Sequence, residues 1–291
     1  MSTPIRAKFI EHMEFLGLSK QTQRSYITGV KGLAKYHNQS PEKLTDDQVR
    51  AYFRYLLLER KLARKSCGSY LSGIMHFYRH LCNREVDDRF GVPPQPRSIK
   101  LPTVLSMEEV SRLLSCAGNL KHRVLLKTIY SAGLRVSEAI HLKPEHIESD
   151  PSRMMIRIEQ GKGRKDRYTV LSERLLCELR EYWRKYSPGQ WLFPGQKPNS
   201  HISTTSVSRA LYKAKKKAQI TKECSLHTLR HSFATHLLYN GYDLYTISQL
   251  LGHTSIETTT IYLHIVPSRF ADLKSPLDFL EPEKEDNNAK K

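Results

Sequence analysis

The sequence has few of the features that mark secreted or membrane proteins. Its five cysteines are scattered, odd in number and form no C-x-x-C pair, so we expect neither a disulfide framework nor a zinc site. No stretch approaches the ~18 consecutive apolar residues of a membrane span. Residues 1–18 mix charged with apolar side chains, unlike a signal peptide. We therefore expect no membrane partner and a reducing location, the cytoplasm or nucleoid.

Acidic residues are also scarce relative to basic ones. The chain has 47 Lys and Arg against 29 Asp and Glu, which gives a formal net charge of +18. A surface of this kind attracts polyanions. A solvated basic face, or binding to an anionic membrane surface, would also explain this charge. However, the excess of basic residues is spread along the whole chain, which favours a nucleic-acid partner.

The 291 residues suggest two domains, each large enough for its own core. Four amphipathic helical patterns in residues 1–85 predict a small all-α bundle. Four prolines and several basic residues then interrupt the pattern, and we interpret 86–104 as a linker. Residues 105–280 form the predicted second domain, and 281–291 a polar tail.

The second domain is predicted to be mainly helical with one β-hairpin. A capping box, Ser106 with Glu109, opens its first helix. The period then changes: residues 155–159 and 167–171 are typical of paired strands, joined by a basic, glycine-rich turn. Further helical patterns follow. The first follows the hairpin and ends at residue 186, and the others occupy 204–218, 228–240, 244–251 and about 256–264.

Two segments carry arginines in positions suited to anion binding. In His227-Thr-Leu-Arg230-His, residues three apart at a helix start project to the same side, beside backbone N–H donors. Alone, such a pair is usually an ordinary surface feature. In AGLRVSE, Arg135 follows a glycine at a helix start, and Glu138 lies one turn on, where it could orient the guanidinium.

Three further residues complete a possible catalytic set. Lys162 lies at the hairpin tip, as a proton donor or simply as a phosphate contact. His253 follows an apolar helix, and Tyr262 lies nine residues later. A tyrosine hydroxyl attacking a phosphodiester builds negative charge that guanidiniums and imidazoles can stabilise. With no acidic cluster to hold Mg²⁺, we expect phosphoryl transfer without a metal.

Five motifs, AGLRVSEA, GKGRKD, HTLRH, LGH and TTTIYLH, resemble the tyrosine recombinase (phage integrase) family, and in particular its short, Xer-like members. The resemblance spans nearly the whole chain. It implies a mainly α, two-domain, C-shaped DNA clamp, with a four-helix SAM-like domain before the linker. It also implies a set of catalytic residues: Arg135, Lys162, His227, Arg230, His253 and the nucleophile Tyr262.

The resemblance further implies site-specific recombination through a 3′-phosphotyrosyl intermediate, without a cofactor. The implied partner is double-stranded DNA with inverted half-sites, bound by a homotetramer or by a heterotetramer with a related recombinase. We expect further DNA contacts from Lys165, Arg167 and Arg209. Residues 269–280 are the candidate for a C-terminal helix that docks on a neighbouring protomer or on its own.

Two other functions remain possible from the sequence. A type IB topoisomerase would use similar chemistry to relax supercoils without exchanging partners, although the short helical clamp favours recombination. A basic DNA-binding regulator could keep the fold without the activity. The second alternative is disfavoured because all six expected catalytic positions are occupied.

Overall fold

The computed structural model divides the chain into two compact units, Met1–Ile99 (unit 1) and Lys100–Lys291 (unit 2). It describes residues 3–85, 90, 101–159 and 166–265. The division falls within the segment interpreted as a linker. Residues 269–280 and the polar tail lie outside the described residues.

Unit 1 is helical throughout its described part. Its helices are α1 (Thr3–Phe15), α2 (Lys20–His37), α3 (Asp46–Arg54), which continues as a π-helical turn (Tyr55–Glu59), and α4 (Arg64–Leu81). The Thr45 and Gln48 capping box that starts α3 is present, with Gln48 N donating to Thr45 Oγ1 at 3.3 Å and Thr45 N to Gln48 Oε1 at 2.9 Å.

The core of unit 1 consists of apolar side chains spaced three or four residues apart on these helices. Helices α2 and α4 pack closely, because Gly73 leaves room for the backbone of the facing helix. A β-carbon at Gly73 would come within 2.6 Å of Tyr26 Cα. Phe9, Val30, Phe53 and Phe77 are fully or almost fully buried between the helices.

Unit 2 is mainly helical and encloses a small sheet. Its helices are α5 (Met107–Ser115), α6 (Leu120–Ser131), α7 (Val136–Ile140), α8 (Glu173–Tyr186), α9 (Thr204–Lys217), α10 (Leu226–Tyr239), α11 (Leu244–Leu251) and α12 (Glu257–Thr260). The Ser106 capping box at the start of α5 is present. Ser232 Oγ on α10 accepts a hydrogen bond from Leu105 N at 3.0 Å, which fixes the chain entering α5.

The sheet contains a strand that the sequence patterns did not predict. Strands β2 (Met155–Ile158) and β3 (Arg167–Val170) form the expected antiparallel pair, with Ile156 opposite Thr169. A two-residue strand, β1 (Ile147–Glu148), pairs antiparallel with β2 on its other side. Two residues are too few to produce a period-2 pattern, so β1 gives no sequence signal.

The end of the described chain also differs from expectation. Instead of one helix over 256–264, unit 2 has the four-residue α12 and a 3₁₀ turn, Leu263–Ile265, with Tyr262 in the turn between them. The run Thr258-Thr259-Thr260-Ile261 is β-branched, and such residues lose side-chain freedom in a helix. Among the described residues, no helix combines the length and apolar character needed to cross a bilayer.

Candidate active site

A buried carboxylate, Glu138 on α7, organises the candidate site. Its side chain is 6% exposed. Arg135, directly before α7, donates to it twice, from the backbone N to Oε2 at 2.8 Å and from Nη1 to Oε1 at 2.7 Å. Gly133 ends the turn that precedes Arg135. Its φ of +60° lets the chain change direction sharply before α7 begins. The carboxylate therefore fixes the guanidinium of Arg135 in place.

Arg167, which we expected to contact DNA, binds Glu138 in this structure. Its Nη1 and Nη2 donate to the two carboxylate oxygens at 2.9 and 2.8 Å, a bidentate pair. Its Nε donates to Leu250 O at 3.1 Å. The side chain is only 11% exposed. The inward face of β3 carries Arg167, so the guanidinium supports the site from beneath rather than projecting to a ligand.

Arg230 on α10 completes a group of three guanidiniums. Its Nη1 donates to Gly133 O at 2.7 Å and its Nη2 to Leu251 O at 2.6 Å, and Nη1 lies 3.7 Å from Glu138 Oε2. The side chain is 5% exposed. Burial, and next the charge of Arg135, lower the pKa of Arg230 to about 10, so it stays charged at neutral pH.

The carbonyl groups at the end of α11 hold all three guanidiniums. Leu251 O accepts from Arg230 and, at 3.5 Å, from Arg135, whose Nη2 donates to Gly252 O at 3.3 Å. The negative end of the helix dipole thus faces the cations. Gly252 is required here because its φ is +61° and a β-carbon would lie 2.6 Å from Arg167 Cδ.

The cluster keeps a positive charge although it is buried. Burial alone would raise the pKa of Glu138, but the hydrogen bonds and charges of Arg167 and Arg135 outweigh it and hold that pKa below its ordinary value. One carboxylate and three guanidiniums leave a surplus of two positive charges. Such a surplus suits a phosphate, which guanidiniums recognise through paired N–H donors. We call this group the arginine centre: Arg135, Glu138, Arg167 and Arg230.

Both predicted histidines lie beside the arginine centre. Burial, followed by the charges of Arg230, Arg135 and Arg167, lowers the pKa of His253 to about 4. Its Nδ1 is 2.8 Å from Thr259 Oγ1. His227 occupies the exposed N-terminal end of α10, and desolvation with the charge of Arg230 lowers its pKa as well. Both imidazoles are therefore neutral at neutral pH.

Tyr262 is among the most deeply buried side chains of unit 2. It is 1% exposed, and its ring packs in a small apolar cluster with residues of α10 and α11. Burial raises its pKa to about 12, although Arg230 and Arg135 act to lower it. The hydroxyl Oη lies 2.9 Å from Nδ1 of His231, the residue that follows Arg230.

The remaining predicted residues fall elsewhere. Lys162 and Lys165 lie outside the described residues, so the structure does not place them. Arg209 is exposed on α9, where it lines a concavity of about 880 Å³ together with Lys121, Lys213 and Lys217. It does not belong to the arginine centre. Within the described ranges, no group of three His, Cys, Asp or Glu is placed to hold a metal ion.

Sequence reasoning missed three contributors to the site. The inward role of Arg167 depends on which face of β3 is buried, and the carbonyl groups of α11 carry no sequence signal at all. His231 did have one, since it lies four residues after His227 on the same helix and so shares its face. The rings of these two histidines are 6.5 Å apart.

The chain is similar to known recombination proteins over most of its length. The phage integrase family matches residues 103–269, and the phage integrase N-terminal SAM-like domain matches residues 5–88. Putative integrase/recombinase y4qK of Sinorhizobium fredii is 40% identical, covering 96% of this chain and 90% of that protein. Tyrosine recombinase XerD of Rhizobium meliloti is 31% identical, covering 94% of each.

A similar fold occurs in a solved DNA complex. The crystal structure of the XerH site-specific recombinase bound to palindromic difH substrate, a post-cleavage complex, aligns with a TM-score of 0.64. The alignment covers 78% of this chain and 71% of that chain at 23% identity, a level at which the likeness concerns the fold.

Proposed function

Because the chain belongs to the phage integrase family of tyrosine recombinases, we propose that it cuts and rejoins DNA through a covalent bond between Tyr262 and a backbone phosphate. Its activity is site-specific recombination and its partner is DNA; relaxation without strand exchange and inactive binding are not favoured. The observation that carries the assignment of the nucleophile is the position of Tyr262. Its hydroxyl lies 2.9 Å from Nδ1 of His231, the residue next to Arg230 of the arginine centre.

In this proposal the arginine centre binds the phosphate that is cut. Its surplus of two positive charges attracts the phosphodiester, and its guanidiniums are already fixed by Glu138 and by the carbonyl groups of α11. Fixed donors require no reorganisation when further negative charge develops on the non-bridging oxygens. Arg135 and Arg230 are the proposed phosphate ligands, and Arg167 and Glu138 position them.

The two histidines and the lysine have separate proposed roles. Neutral His227 and His253 donate N–H hydrogen bonds to the phosphate oxygens, and Thr259 fixes the ring of His253 through the 2.8 Å contact at Nδ1. Lys162 donates a proton to the departing 5′-oxygen. The products are a 3′-phosphotyrosyl bond and a free 5′-hydroxyl, which later attacks in reverse to rejoin a strand.

Tyr262 must become accessible before it can react, because it is 1% exposed. The segment that carries it is short and weakly helical, with a four-residue α12 followed by a 3₁₀ turn. We propose that DNA binding rearranges this segment around the Tyr262 hydroxyl, which stays within reach of His231 and meets the phosphate held by the arginine centre. This step would keep the nucleophile protected in the absence of DNA.

The assembly is also proposed rather than established. Residues 1–85 and 105–280 would clamp the duplex from either side of the linker at 86–104, with contacts from Lys165 and Arg209. Two protomers would bind inverted half-sites, and four, of one or two kinds, would form the synapse. The apolar residues within 269–280 suit a docking helix, on the same protomer or the next.

The first test uses nicked suicide duplexes that carry candidate sites, incubated in EDTA with wild type or with Tyr262→Phe. Only the wild type should give a covalent protein–DNA band on a denaturing gel, while both bind DNA, since the substitution removes one oxygen and no charge. Tyr245→Phe is the matched control, because Tyr245 is an exposed tyrosine of the same unit. A band with Tyr262→Phe would refute the assignment.

A further inference from the structure

The hydroxyl of Tyr262 has a defined partner that the proposed mechanism has not yet used. Nδ1 of His231 lies 2.9 Å from Oη, and the two rings are 5.8 Å apart at 54°. His231 follows Arg230, whose guanidinium is anchored to Gly133 O and Leu251 O. The imidazole is therefore fixed relative to the arginine centre by its own helix.

The protonation states allow the imidazole to accept the hydrogen bond in this contact. Burial, and then the charges of His227 and Arg230, lower the pKa of His231 to about 4, so the ring is neutral at neutral pH. Burial raises the pKa of Tyr262 to about 12, so the phenol keeps its proton. In the tautomer that carries its proton on Nε2, the neutral imidazole accepts the hydrogen bond of the neutral phenol at Nδ1, and the proposal takes this tautomer.

We propose that His231 is a further catalytic residue, which takes the proton of the Tyr262 hydroxyl as that hydroxyl attacks the phosphate. The inference rests on the proposed function. The Oη–phosphorus bond forms, the bond from phosphorus to the 5′-oxygen breaks, the phenolic proton moves to Nδ1, and the leaving 5′-oxygen takes a proton from a separate donor. In the rejoining step the proton returns from Nδ1 to Oη.

DNA binding itself strengthens this base. Without DNA the surplus charge of the arginine centre opposes any added positive charge on His231. A bound phosphodiester brings a negative charge to the same place, which makes a protonated imidazole less costly. The tyrosine is thus activated only when a phosphate is present to be attacked, and the free protein keeps a neutral, unreactive phenol.

The same helix contains a comparable pair that serves as a control. Nδ1 of His236 lies 2.9 Å from the hydroxyl of Tyr130, and Nε2 of His236 lies 3.0 Å from Leu105 O. This histidine is tied on both sides to the scaffold of unit 2. Replacing His236 should therefore disturb the packing of α10 about as much as replacing His231 does. It should leave the nucleophile Tyr262 unaffected.

The test compares His231→Asn, His231→Ala and His236→Asn by the rate of covalent adduct formation on the suicide duplex. An asparagine Oδ1 occupies nearly the position of Nδ1 and accepts a hydrogen bond, but it does not take a proton. We expect both His231 variants to lose about 10²-fold or more in rate, with DNA binding kept and His236→Asn close to wild type. Recovery of the rate in His231→Asn would reduce His231 to a positioning role and overturn the proposal.

A second measurement separates proton transfer from geometry. Replacing Tyr262 by 3,5-difluorotyrosine makes the phenol more acidic, so the reaction depends less on a base. The rate ratio of wild type to His231→Asn should shrink in this background; an unchanged ratio would overturn the proposal. A faster His231→Asn enzyme would identify a resting-state latch instead. Absence of any adduct with wild type would refute the proposed function itself, whereas adducts of equal rate in all variants would refute only the role of His231.

Discussion

Each unit brings several basic side chains together, and the two groups differ in their burial and in their counter-charge. In unit 1 the ring centroids of His12, His76 and His80 lie within 5.4 Å of one another, and the ionisable groups that act on His76 are the other two imidazoles. In unit 2 three guanidiniums surround the carboxylate of Glu138.

The difference decides which collection can act on an anion. Burial, with the neighbouring imidazoles of His80 and His12, lowers the pKa of His76 to about 4, so His76 avoids charge by staying neutral. Arginine does not lose its proton at neutral pH, and Glu138 makes the burial of three such groups tolerable. In unit 2 the buried guanidiniums keep a usable positive charge because a carboxylate accompanies them.

Removing that carboxylate should have the largest effect. Glu138→Gln leaves three buried guanidiniums facing a neutral amide, so we expect the free energy of unfolding of unit 2 to fall by about 3–5 kcal/mol, the usual loss when one partner of a buried ion pair is removed. Both tryptophans, Trp183 and Trp191, lie in unit 2, so denaturant unfolding followed by tryptophan fluorescence measures this unit.

The matched control for this prediction is Glu145→Gln. Glu145 pairs with Lys143 at 3.2 Å on the surface of the same unit, and such an exposed pair contributes little to stability because water screens it. A Glu138→Gln protein as stable as the Glu145→Gln protein would remove the distinction between the two units. It would mean that the arginine centre tolerates burial without its counter-charge.

A smaller effect should follow from moving the carbonyl groups that hold the same arginines. Gly252→Ala places a β-carbon at φ +61° and within 2.6 Å of Arg167 Cδ, whose guanidinium cannot move freely because it is bonded to Glu138. We expect a loss of about 2–3 kcal/mol in unit 2, in the upper range for a strained position, and slower DNA cleavage. Denaturant unfolding followed by tryptophan fluorescence measures the loss of stability. The rate of covalent adduct formation measures the slower cleavage.

Gly241→Ala isolates the contribution of the backbone. Gly241 also has positive φ, +85°, but a β-carbon at this position would meet nothing within 4 Å. The substitution should cost about 1 kcal/mol and leave cleavage unchanged. Equal losses at the two glycines would show that Gly252 matters only for its φ, and that the close approach of Arg167 to the end of α11 is unimportant.

Much of the arginine centre was accessible from the sequence. Arg135 follows a glycine and begins a helix, and Arg230 follows a capped helix start, so local rules placed both at helix N-termini. Glu138 was expected to orient Arg135, and it bonds to that residue twice. The catalytic roles of these residues remain predictions that the experiments above address.

What the sequence did not reveal depends on contacts between distant elements. Alternation along β3 puts Arg167 and Thr169 on one face, but only the fold determines that this face meets Glu138. The sequence therefore suggested a DNA contact for Arg167 and did not reveal its pairing with Glu138. Likewise His231 follows Arg230 on α10, and nothing local indicates that the hydroxyl of Tyr262, carried on a separate turn, reaches its Nδ1.

The smallest predicted effect concerns the cluster that has no carboxylate. The pKa of His76 is about 4 in the folded chain against 6.5 ordinarily. Below pH 6.5 the unfolded chain therefore takes up a proton that the folded chain refuses until about pH 4. The contribution of His76 to the free energy of unfolding is therefore complete above pH 6.5. As the pH falls from 6.5 to 4, this contribution falls by roughly 1–2 kcal/mol, after allowance for solvent screening of a half-buried ring.

Hydrogen exchange of the amides in α1 and α4, corrected for the intrinsic pH dependence of exchange, measures this loss in the intact chain. His76→Phe keeps an aromatic ring among Phe9 and Tyr26, which lie 6.0 and 5.6 Å from the His76 ring, and it removes the titrating group. Protection in this variant should change less than in wild type between pH 6.5 and 4. Parallel losses would mean that His76 is not the acid-sensitive group of unit 1.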